Sequence, residues 1–263
     1  LGSAFQWPAY SAAITTMVPK EQYGRANGLM SFVQAGPSAV APLLAGSLLP
    51  VIGLKGILLI DIATFVLAIG VLLMVHVPAP VRTVEGQAGK GNLLQEAAFG
   101  FKYIFKRPSL LGFVVMLFFA NLFLGFPNSV HVPLILSRTG NSSVILGAVE
   151  TAGALAWTLG SVIMSAWGGP KRRIHGVLLG GIGACLLGIV WLGASSTLFF
   201  WAIGSFFFSF FEPFVEGINL SIWQSKVEAD VQGRVISARQ LLVQIPYLLG
   251  SAFSGRLAED GVA

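Results

Sequence analysis

From Ile57 to Val75 the chain is continuously apolar apart from one charged residue, Asp61. A helix needs about 20 such residues, at 1.5 Å each, to cross the ~30 Å hydrocarbon core of a bilayer. Comparable runs lie at 28–49, 55–76, 109–131, 144–168, 175–194, 198–223 and 235–256, and 1–17 reads as part of another, making eight expected spans. A membrane β-barrel would show alternating segments of about ten residues, which these continuous runs exclude. Only 10% of the residues are charged, against about 25% in soluble domains. The chain therefore reads as an all-α, multi-pass membrane protein. Its one cysteine, Cys185, lies inside a span and leaves no disulfide framework.

Loop charge supplies the orientation, because Lys and Arg stay preferentially on the cytoplasmic side. With the turn at 18–27 in the cytoplasm, that side receives thirteen basic residues, among them Lys20, Arg25, Lys171, Arg172, Arg173, Arg234 and Arg239. The other receives three, Lys55, Arg138 and Arg256. The net charge of +5 is thus accounted for by topology and lipid headgroups, and needs no nucleic-acid partner.

Segment 18–48 returns near the other end of the chain. A shift of 209 positions lays Gly24-Arg25 on Gly233-Arg234, Pro37 on Pro246 and Gly46 on Gly255, with six of 31 positions identical and no gap. Each copy is a short polar turn with a Gly-Arg pair, followed by an apolar run with a proline in its middle. So long a period suits a duplicated half rather than a solenoid. The expected organisation is an N-terminal helical segment at 1–77, a linker at 78–108 and a C-terminal helical half at 109–263. Within the linker Leu94, Ala97, Ala98, Phe101, Ile104 and Phe105 recur at helical spacing opposite Gln95, Lys102 and Lys106. This is an amphipathic helix, expected on the cytoplasmic membrane surface or, alternatively, as a solvated linker helix.

The motifs V-P-K-E-Q-Y-G-R-A-N-G at 18–28, E-A-A-F-G-F-K-Y-I-F-K-R-P-S-L at 96–110 and V-Q-G-R-V at 231–235 together resemble the major facilitator superfamily, in particular its macrolide-efflux and enterobactin-exporter-like branch. The resemblance implies two six-helix halves, with this chain running from within helix four to the end of helix eleven and helices one to three and twelve outside it. It also implies that helix ten, at 198–223, lines the central cavity. Gly36-Pro37 partly matches the family's antiporter motif, with Ser38, Ala39 and Ala41 where further glycines would stand. Gly168-Gly169-Pro170 with Lys171, Arg172 and Arg173 resembles a degenerate second copy of the acidic-basic loop signature. Gly24, Arg25, Gly36, Pro37, Gly233, Arg234 and Pro246 are the expected turn and hinge positions.

No enzyme constellation is present: His76, His131 and His175 lie at the ends of different spans, and no Walker lysine follows a glycine loop. No cofactor or metal is expected. Carboxylates within spans are the informative exceptions, since a charge at bilayer depth costs at least about 2.5 kcal/mol unless paired, protonated or hydrated. Asp61 and Glu150 lie near span ends, where structural roles suffice. Glu212 and Glu216 share one helix face a turn apart, continued by Asn219, with Pro213 between them. Arg239 lies at similar depth on the next span, either as a plain salt-bridge partner of Glu216 or as part of a proton-responsive element. Gln34, Asn121, Asn128, Gln240 and Gln244 either bridge helices or line a cavity. The phenylalanines at 206–211 cover every face of their helix, and the glycines of 176–188 permit close helix approach.

The expected function is secondary active transport, as a proton-coupled antiporter exporting amphipathic small molecules across the plasma membrane by rocking of two halves. The alternative is a non-transporting scaffold or receptor, which would have no reason to retain carboxylates at depth.

Overall fold

The computed structural model describes the backbone of residues 2–74, 83, 92–194 and 196–261, and their side chains except 2–9, 35–47, 49, 93–94 and 255–261. Within these residues all regular structure is helical. The helices are α1 (Gly2–Met17), α2 (Tyr23–Met74), α3 (Leu93–Phe105), α4 (Pro108–Arg138), α5 (Ser143–Trp167), α6 (Arg173–Ala194), α7 (Leu198–Lys226) and α8 (Gln232–Gly261). Five segments described are long and apolar enough to cross a membrane: Pro50–Met74, α4, α5, α6 and α7. The first part of the linker except Thr83, with Arg82 and Lys90, lies outside the described residues, as does His76.

Local chemistry sets the helix limits. Two of the expected spans are joined in α2 with no loop, and the break falls at Gly53, whose φ of 63° and ψ of 178° only glycine adopts without strain. Pro108 starts α4 at the first turn, where its missing N–H costs nothing. The Ser142 hydroxyl accepts from Ile145 N to cap α5, and Gly168, at φ 81°, closes that helix in the left-handed conformation. In glycine-rich α6 the residues Ala184–Ile189 widen into a π turn.

Two helix pairs build the C-terminal half, α5 with α7 and α4 with α8, and α6 lies along α7. Small residues bring the backbones together, as expected. A methyl at Gly160 would strike the Phe210 carbonyl, and one at Gly125 the Tyr247 carbonyl. Gly183 and Gly188 receive Phe211 and Phe208, so part of the phenylalanine run packs on α6. The Ser129 and Ser254 hydroxyls meet at 2.5 Å across α4 and α8.

The repeat is visible in hydrogen bonds. In the first copy Val18 N donates to Ile14 O, Gln22 N to Pro19 O and the Tyr23 hydroxyl to Thr15 O. In the second, 209 residues on, Val227 N donates to Trp223 O, Val231 N to Glu228 O and Gln232 Nε2 to Gln224 O. The two turns therefore share one construction although Tyr23 and Gln232 differ chemically. Both lie at one end of the bundle, with the α5–α6 turn beside them: the Arg25 stem lies over Gly168, and Gly24 meets the Gly168 carbonyl too closely for any side chain.

Helix α3 forms with an Asn92–Gln95 capping box, and the side carrying Gly100, Tyr103 and Ile104 is covered by protein. Tyr103 and Ile104 are buried, and Phe99 and Phe101 pack with them onto a cluster including Leu110, Phe113, Trp223 and Val235. Gly100 fits against the Arg234 carbonyl, and the Arg234 guanidinium lies 5.3 Å from the Phe99 ring. Of the apolar face expected from the sequence, Ile104 is buried and Phe101 half-buried, while Ala97 and Ala98 are exposed. Phe105, at the end of the helix, is exposed.

Replacing Gly160 by Ala should lower the apparent melting midpoint in detergent, by overpacking worth about 1–3 kcal/mol. Gly147→Ala, with no atom near the added methyl, should leave the midpoint unchanged or raise it. Equal melting of both variants would contradict the close packing of α5 on α7.

Candidate functional site

Between the α4–α8 pair and the α6–α7 pair lies a cavity of about 800 Å³. Apolar side chains from α4 and α6 make most of its wall. Its polar residues are Asn121 on α4, Glu212, Glu216 and Asn219 on α7, and Arg239, Gln240 and Gln244 on α8. Their positions follow from helical spacing: Glu212, Glu216 and Asn219 form one stripe on α7, and Arg239, Gln240 and Gln244 lie along the facing side of α8. Helix α7 runs through buried Pro213 without interruption. The proline ring leaves the carbonyl four residues earlier without its usual ladder donor.

Glu212 and Glu216 stand one turn apart on the same face of α7, and Arg239 lines the same cavity from α8. The Arg239 guanidinium lies 5.7 Å from the Trp223 ring, one turn beyond Asn219, and its Nε is buried without a hydrogen-bond partner. Trp223 Nε1 and Asn219 Oδ1 are likewise buried and unpartnered. Three unsatisfied polar atoms thus gather at the cavity end nearest the turns, where a buried polar group is normally bonded.

The cavity is lined by α4, α6, α7 and α8 alone. Gln34 is exposed on α2 and Asn128 is exposed on α4, donating to Leu124 O at 3.1 Å, so neither reaches it. Asn121 also donates to its own helix, to Leu117 O at 2.9 Å. Asp61 is exposed on an arm of α2 that buries none of its apolar window. Glu150 stands 3.6 Å from His131 Nδ1, joining α5 to α4 near the end opposite the turns. Among the described residues no three His, Cys, Asp or Glu side chains form a metal-binding group.

The turn and hinge residues fall in different surroundings. Gly24 is buried, Gly233 has open space around it, and Pro246 is buried within α8. Helix α2 continues through Gly36 and Pro37, whose side-chain surroundings lie outside the described residues. Sequence reasoning missed Ser11, Asn27, Gln224 and Gln232, four buried polar residues where α1 and α2 meet α7 and α8. The repeat lays Tyr23 on Gln232, and neither Ser11 nor Gln224 falls within it.

Long apolar helices, closely packed through glycine and enclosing a cavity with charged and amide side chains at depth, define the body of a membrane transporter. The chain belongs to the Major Facilitator Superfamily, whose profile matches residues 1–251, and it is a multi-pass membrane protein. It is similar to Macrolide efflux protein A of Enterococcus faecalis, 24% identical over 255 residues covering 95% of this chain and 77% of the relative. It is also similar to Macrolide efflux protein A of Streptococcus pyogenes, 23% identical over 264 residues covering 98% of this chain and 64% of the relative. The chain thus spans about two thirds of the length of that second protein. No solved structure matches.

Because Asn219 Oδ1 is buried without a partner and the residue is only 6% exposed, Asn219→Leu should stabilise the folded protein by about 1–2 kcal/mol. Melting in detergent checks this. Destabilisation would show that the amide oxygen is held by a partner and is not free to meet a ligand.

Proposed function

We propose that the chain is the body of a proton-coupled secondary transporter that exports amphipathic small molecules, of which macrolides are the class suggested by the names of its relatives. The observation that carries this is the series Glu212, Glu216 and Arg239 in the wall of a largely apolar cavity. The apolar wall suits the hydrophobic part of an amphipathic molecule, and the polar stripe gives it an orientation. Two carboxylates one turn apart, opposed by a single guanidinium, can exchange protons and partners as the cavity changes hydration. In this scheme Arg239 alternates between Glu216 and its resting place against Trp223, and Glu212 exchanges the transported proton.

The turn end, rich in Lys and Arg, is assigned to the cytoplasm. Glu21 and Glu228 are exposed in the two equivalent turns. Cysteines placed there should resist an impermeant thiol reagent added to intact cells and react after permeabilisation. Labelling of either in intact cells would reverse the orientation.

Glu212→Gln in the full-length protein should abolish export driven by a pH gradient, a loss of at least about 100-fold, while leaving macrolide binding within a few-fold of the parent. Glu216→Gln should also impair folding, because it leaves Arg239 at depth without its carboxylate. Paired measurements of binding and gradient-driven flux decide the matter. Unchanged pH dependence of flux in Glu212→Gln would remove that residue from proton coupling.

A further inference from the structure

Four uncharged polar side chains lie almost wholly out of solvent where α1 and α2 meet α7 and α8. Ser11 and Asn27 are 2% exposed, and Gln224 and Gln232 are 1% exposed. Burial on this scale demands hydrogen bonds, and those formed run between the N-terminal and C-terminal helices. Gln224 Nε2 donates to both Ser11 O and Ser11 Oγ at 3.2 Å, and Gln224 Oε1 accepts from Asn27 Nδ2 at 2.8 Å. One amide thereby ties α1 and α2 to α7. Asn27 Nδ2 also reaches Gly217 O at 3.3 Å.

A second amide does comparable work one turn of chain further on. Gln232 Nε2 donates to Gln224 O and Val227 O, each at 3.0 Å, which fixes the turn between α7 and α8. Its Oε1 lies 3.1 Å from Thr15 Oγ1, whose single proton it shares with Ala12 O at 2.7 Å, and this contact ties the turn to α1. Arg173, at the start of α6, adds a backbone clamp by donating to Ser221 O at 2.7 Å and to Lys20 O at 2.5 Å. Beside this network Gly24 and Gly28 leave no room for a methyl against α5. Every contact lies at the turn end.

We propose that Ser11, Thr15, Asn27, Gln224 and Gln232 form an uncharged latch, which holds the N-terminal and C-terminal helices together at the turn end and is exchanged for water when that end opens. The inference rests on the transporter reading for the need to open, and its location is independent of substrate and coupling ion. Neutral amides suit a reversible closure. Each bond between them contributes modestly, so the closed form is favoured without being locked, whereas a dry ion pair would leave isolated charges on separation. Asn27 Oδ1 is buried with no partner, so opening also hydrates an acceptor that closure leaves unsatisfied.

Hydrogen–deuterium exchange of the full-length protein in lipid nanodiscs, without substrate, tests the latch. Gln224→Leu, close in volume and unable to hydrogen-bond, should speed exchange roughly five- to tenfold or more in peptides on both sides of the seam, 11–27 and 217–232. Asn27→Ser, a milder change, should act in the same direction, and the double variant should fall short of the sum of the two, since the Asn27–Gln224 bond is common to both. Unchanged protection in Gln224→Leu, or faster exchange confined to 217–232, would overturn the latch. Failure of the transporter reading shows separately, as unchanged pH dependence of flux in Glu212→Gln, and leaves the exchange result as it stands.

Discussion

A polar group withdrawn from water into a packed helical bundle must find a partner or carry a cost of about 1–3 kcal/mol, and α7 meets that constraint in two opposite ways. Near the turns, Ser221 and Gln224 are buried and bonded, directly or through their carbonyls, to α1, α2, α6 and α8. Over the preceding turns Glu212, Glu216 and Asn219 face a cavity, and Asn219 Oδ1 and the nearby Arg239 Nε have no partner. The satisfied stretch holds helices together. The unsatisfied one is available to a ligand, and both lie on one continuous helix, so movement of α7 affects closure and cavity together.

Helix α7 is pressed to α5 at Gly160 and to α6 at Gly183 and Gly188, and α4 is pressed to α8 at Gly125 and Gly250. Between these two units lies the cavity, with direct packing at either end of it: Phe113 stacks on Trp223 at 6.0 Å near the turns, and Ile135 meets Val149 and Trp201 at the other end. The repeated hydrogen bonds of the two turns show that both halves begin their proline-containing helices with the same construction. Residues at equivalent positions then serve different ends: Tyr23 braces its own turn, while Gln232 braces its turn and bonds across to Thr15.

Much of this arrangement is legible in the sequence because hydrocarbon thickness fixes helix length directly. The runs at 144–168 and 198–223 become α5 and α7 with ends moved by only a few residues, and the 209-residue offset finds two turns that match bond for bond. What the sequence leaves open is what each helix face meets. The stripe of Glu212, Glu216 and Asn219 shares a cavity as its spacing implies, but Gln34 and Asn128, at comparable depth, point elsewhere. The apolar residues of α3 are evident in 93–105, but the pattern does not show that Tyr103 and Ile104 pack into the cluster around Trp223 while Ala97, Ala98 and Phe105 stay exposed. Asn27 and Gln224 look like ordinary residues near span ends. Their partnership depends on packing between segments 197 residues apart, which no local pattern reveals.

The central claim is that Glu212 and Glu216 exchange protons as the cavity takes up ligand. It is tested most directly by mixing purified full-length protein with a macrolide in weakly buffered solution and recording proton release across a range of pH. The account predicts release that accompanies binding, varies with pH and disappears in Glu212→Gln. Binding with no proton release at any pH, or the same release from Glu212→Gln, would contradict it.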